Sequence, residues 1–112
     1  MKRNIKIEIE SAEFSCFLDL LGRASRMANL SGLDALPAMV VSEWLSGRVI
    51  RLMQTNIYAA KTNKTWPEKF SQAEATALFL RLGELRLPEE SYHHLIRNRI
   101  LDRLDRQLLA NP

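Results

Sequence analysis

Glu90-Ser91-Tyr92-His93 is where the residue types and spacing of this 112-residue chain come nearest to metal chemistry. Glu-x-x-His is the spacing by which helical bundles present two ligands to a di-metal centre. Such a centre also needs a second copy of the motif and two further inward carboxylates. The sequence holds no second Glu-x-x-His, so only a symmetric dimer would supply one. His93 and His94 are neighbours, hence about 100° apart on a helix, and are badly placed to grip one ion together. The plainer reading is two surface pairs at i,i+4, Glu89 with His93 and Glu90 with His94. No metal site is expected.

Phosphate chemistry has two further candidates. Arg99, Arg103 and Arg106 fall along one ridge of a C-terminal helix, but Asp102 and Asp105 lie beside them and partly neutralise the ridge. Lys61, Lys64 and Trp66 combine cations with an aromatic ring, the means by which single strands are tracked and their bases stacked. Lys6 adds a cation on the N-terminal segment. A Trp followed by Pro is also a common plug that fixes a loop to the core. The formal net charge is +3 and the pI near 9.4, a mild surplus for a nucleic-acid binder. Nucleic acid is therefore a possible partner rather than the leading one.

For catalysis the chain offers little. It contains no Gly-rich phosphate loop, G-x-S-x-G, H-E-x-x-H or Cys/His ligand set. Cys16, the single cysteine, lies beside an apolar helical face and reads as a small buried hydrophobe. No enzyme and no cofactor are expected. One cysteine and no membrane-length apolar run point to the reducing cytoplasm, without a membrane partner.

The elements that would carry these residues follow from periodicity. In "NIKIEIE", residues 4–10, Ile5, Ile7 and Ile9 alternate with Lys6, Glu8 and Glu10, the period of a half-buried strand. Ser11 then suits the N-cap of a helix over 12–29, with Phe14, Phe17, Leu18, Leu21, Ala24 and Ala28 as its apolar face. Pro37 opens a second helix, 37–59, which is apolar on nearly every side. Trp44, Ile50 and Ile57 lie on it and are expected at an oligomer interface. Residues 61–67 read as a polar loop. The capping box Ser71-Gln72-Ala73-Glu74 opens a third helix bearing Ala75, Leu78, Phe79 and Leu82. A fourth runs from Pro88 to about 110 on Ile96, Ile100, Leu104 and Leu108. Leu85-Arg86-Leu87 reads as the third helix's end and a tight turn, with a short strand as the rival.

The expected fold is mainly α: a short N-terminal strand followed by about four helices, in one domain spanning 1–112. The strand lacks an evident partner within the chain. Strand followed by two helices resembles the ribbon-helix-helix repressors, in which two such strands pair across a dimer and face the major groove. Here the resemblance covers about half the chain and departs in placing Glu8 and Glu10 beside Asn4 and Lys6 on the would-be reading face. What it implies is dimer logic, with Ile5, Ile7 and Ile9 at the interface. The leading function is a non-enzymatic interaction or assembly protein acting as a homodimer; the alternative is a DNA-associated accessory protein.

Overall fold

The computed structural model describes residues 4–27 and 30–110. It is mainly helical with one small sheet. Strand β1 spans Ile5–Glu10 and passes through a 3-10 turn, Ser11–Glu13, into α1, Phe14–Ala24. A second 3-10 turn, Gly32–Ala35, leads to α2, Leu36–Ser46, then α3, Val49–Ala59. Strand β2, Thr65–Phe70, precedes α4, Gln72–Glu84, and α5, Tyr92–Ala110.

The first strand finds its partner inside the chain. β1 and β2 are antiparallel, with Ile5 opposite Phe70, Ile7 opposite Glu68 and Ile9 opposite Trp66. The alternation seen in the sequence holds, since Ile5, Ile7 and Ile9 are buried while Lys6, Glu8 and Glu10 face outward. The expectation of pairing with a symmetry mate is corrected. Ile5, Ile7 and Ile9 belong to this chain's own core. Burial of each is worth about 1.5–3 kcal/mol.

The expected loop 61–67 is corrected as well, because Thr65–Phe70 is the second strand. Its sequence, TWPEKF, hides the strand behind a proline and a buried glutamate. Pro67 lies opposite Glu8, at a position whose backbone groups point away from the partner, so its missing N–H removes no ladder bond. Ser11 closes the ribbon rather than capping a helix. Its hydroxyl donates to the Lys64 carbonyl at 2.7 Å and accepts from the Lys64 amide at 2.9 Å.

Side chains from the helices cap both outer edges of the ribbon. Trp44 Nε1 donates to the Lys69 carbonyl at 3.0 Å, and Arg103 Nη1 donates to the Glu8 carbonyl at 3.0 Å. An open two-stranded ribbon invites strand addition, and these contacts occupy acceptors it would use.

The single second helix expected over 37–59 is two. The chain turns at Gly47 and Arg48, where Arg48 has φ −131° and ψ 4°. Carbonyls left at the end of α2 are taken locally, Trp44's by Arg48 Nη1 at 2.9 Å and Leu45's by the Arg48 amide at 2.9 Å. α2 buries Ala38, Val41 and Trp44 and lies along α4, whereas α3 buries only Leu52 and Ala59.

α4 starts on its expected capping box, with the Glu74 amide donating to Ser71 Oγ at 3.1 Å and the Ser71 amide to Glu74 Oε1 at 2.7 Å. It ends at Glu84. Leu85 is extended, and residues 85–87 form neither helix nor strand, although Leu85 and Leu87 pack on the core. α5 begins later than expected. Ser91 Oγ accepts the His94 amide at 3.1 Å, so Ser91 takes the capping role and Pro88, Glu89 and Glu90 precede the helix. Ile96, Ile100 and Leu104 are fully buried, as the stripe predicts. Ala28, assigned to the first helix's face, lies outside the described residues.

Candidate functional site

Several of the arginines are engaged in structural contacts. Two carboxylates are buried in the core region, Glu13 and Glu68, and each is met by a guanidinium. Glu13 accepts from Arg103 Nη1 at 2.8 Å and Nη2 at 2.9 Å, and from the Glu10 amide at 3.0 Å. Arg99 stands 3.6 Å away. Burial pushes the Glu13 carboxyl up; the hydrogen bonds from Arg103 and Glu10 and the charges of Arg103 and Arg99 outweigh it and hold the group below the usual carboxylate range. Glu68 accepts from Arg51 Nη2 at 2.8 Å and Nη1 at 3.2 Å, tying α3 to the inner face of the ribbon.

Two more arginines cap helix ends. Arg81 Nε donates to the Ala24 carbonyl at 3.0 Å and Nη2 to that of Arg26 at 3.2 Å, just where α1 stops. Arg97 Nη1 reaches the carbonyls of Leu82 and Leu85, both at 3.0 Å, at the end of α4. Cations at helix C-termini satisfy orphan acceptors and oppose the dipole. Sequence reasoning missed Glu13, Glu68, Arg51, Arg81 and Arg97. Only Glu68 left a trace, as the middle member of an alternation with Trp66 and Phe70.

The phosphate candidates are brought together in part. Lys6, Arg103 and Arg106 line a groove of about 340 Å³ between the outer face of β1 and α5, with Glu8 and Glu10 on the same walls. Each cation has a carboxylate at hand: Lys6 lies 3.5 Å from Glu8, Arg106 3.0 Å from Asp102, and Arg103 is fixed on Glu13. Arg99 also leans on Glu13. Lys61 and Lys64 are exposed between α3 and β2, away from that groove's lining. Trp66 is half-buried opposite Ile9, and its Nε1 is enclosed, so its ring acts as part of the core's margin.

The Glu90 and His93 pair is separated. Glu90 sits in the turn before α5, while His93 Nε2 lies 2.9 Å from Asp19 Oδ2 on α1. Among the described residues, no group of three or more His, Cys, Asp or Glu is disposed to hold a metal ion. Cys16 is buried, and burial lifts its thiol to about 11, away from thiolate chemistry. No helix among the described residues is long and apolar enough to cross a membrane.

The proposed interface residues divide. Trp44 is buried in its own chain, stacked on Phe70 with ring centroids 4.4 Å apart and with Arg48 over its other side at 4.7 Å. That corrects its assignment to an intersubunit surface. Ile50 and Ile57 do face outward, in company. Ile50 is 73% exposed, Met53 60%, Ile57 62% and Tyr58 66%, with Val49 at the margin. Positions 50, 53 and 57 form one stripe of a helix. α3 has no acidic residue, and its one basic residue, Arg51, is bound to Glu68. The ridge thus carries no charge, and its apolar side chains share the stripe with the exposed amide of Gln54.

A second apolar surface lies between α2 and α4. Leu36, Pro37 and Val40 on one side and Gln72, Ala73, Thr76, Ala77 and Leu80 on the other border a shallow, open depression of about 350 Å³. Its lining has no charged side chain.

Comparison with protein-family models, with curated proteins and with solved structures returned no match.

Proposed function

We propose that this protein is a non-enzymatic interaction and assembly module of the cytoplasm that works as a homo-oligomer. The observation that carries the reading is the uncharged ridge of Ile50, Met53, Ile57 and Tyr58, all mostly exposed on α3. These side chains, with Val49, offer on the order of 500 Å² of apolar surface, near the upper end of what a monomer leaves uncovered. With a polar rim this approaches the roughly 800 Å² per partner of stable interfaces. A second copy is the occupant we favour, since a patch without charge meets its own kind without like-charge repulsion.

The DNA-associated alternative has less beneath it. Its ribbon is paired within the chain, and Arg103, the centre of its basic ridge, is locked on Glu13. Sedimentation equilibrium tests the leading reading. The wild-type chain is expected at a multiple of its 12.9 kDa mass, and Ile50→Lys combined with Ile57→Lys at the monomer mass with an unchanged circular dichroism spectrum. A wild-type monomer at high micromolar concentration overturns it. A salt-dependent shift of duplex DNA, lost on neutralising Lys61 and Lys64, would favour the alternative instead.

A further inference from the structure

We draw no further inference here: the strongest candidate, the groove between the outer face of β1 and α5, carries nothing, because its cations Lys6, Arg103 and Arg106 are each engaged by a carboxylate of the same chain and nothing in the structure shows what would occupy it.

Discussion

α2 and α3 come from one segment, residues 37–59, whose apolar pattern predicts a single helix, yet they meet the rest of the molecule differently. α2 lies against α4 and sends Trp44 between α2 and the ribbon, where it stacks on Phe70 and binds the Lys69 carbonyl. α3 packs near α1 and the turn at Ser11–Glu13, buries only Leu52 and Ala59, and is fixed to the ribbon by Arg51 on Glu68. The first helix is held mostly by packing. The second has less buried surface, relies on an ion pair, and turns its larger apolar residues outward. Hydrophobicity alone does not distinguish a buried helix from one that leaves its apolar side chains exposed; the direction imposed by the turn at Gly47 and Arg48 does.

The largest effect should come from emptying the site that holds α2. Trp44→Ala removes the stack on Phe70 and the bond to Lys69, and large-to-small changes of this kind cost about 3–5 kcal/mol. Urea unfolding should show that loss. A cost below about 1 kcal/mol would mean that packing is not what separates α2 from α3.

Next in size is the tie between α5 and the ribbon, which shows what a more fully engaged buried pair does. Glu13→Ala strands Arg103 and frees the Glu8 and Glu10 contacts, for roughly 3 kcal/mol. Glu13's folded pKa is lowered, so its contribution is present above the unfolded value, about 4.3, and is lost as pH falls through the folded value. The stability gap between wild type and Glu13→Gln should therefore narrow in acid. A gap that stays constant from neutral pH to about pH 2 would contradict the assignment.

For α3 the corresponding change is Arg51→Met, which leaves Glu68 buried without its guanidinium. Arg51 is half exposed and its charge is screened, so about 2 kcal/mol is expected rather than the larger cost of a sealed pair. Glu68→Leu added to Arg51→Met should recover most of it, since an apolar replacement needs no partner. Hydrogen exchange should show α3 amides opening earlier than those of α2 in Arg51→Met.

The legible parts of the fold were those where local pattern and environment agree. Ile5, Ile7 and Ile9, the Ser71–Glu74 box and the Ile96, Ile100, Leu104 stripe all lie where periodicity places them. β2 was hidden because Pro67 and Glu68 break strand rules locally and are accommodated by tertiary structure, an outward-facing backbone position for one and Arg51 for the other. Trp44 and Ile50 looked alike on one long helix; the turn sends one inward and the other out. At the candidate site, the apolar character of Ile50 and Ile57 was readable, and the apolar surface between α2 and α4 was not, because its sides come from helices separated in sequence.

The smallest expected effect concerns the turn itself. Gly47 has φ −74°, ordinary for any residue, and a methyl group there would meet the Glu43 carbonyl oxygen at 3.8 Å, an unstrained contact. Glycine is therefore not what the turn requires sterically. Gly47→Ala should stabilise the protein by about 0.5 kcal/mol, through the reduced freedom of the unfolded chain. The turn should persist, because Arg48 remains extended in φ and bonded to the carbonyls of Trp44 and Leu45, while Trp44 and Arg51 hold the two helices to different parts of the ribbon. Straightening into one helix would break at least one of those ties. Helical content by circular dichroism should stay unchanged, and self-association should match wild type. A rise in helicity together with loss of assembly would show that Gly47, rather than the tertiary contacts on either side, separates the buried helix from the exposed one.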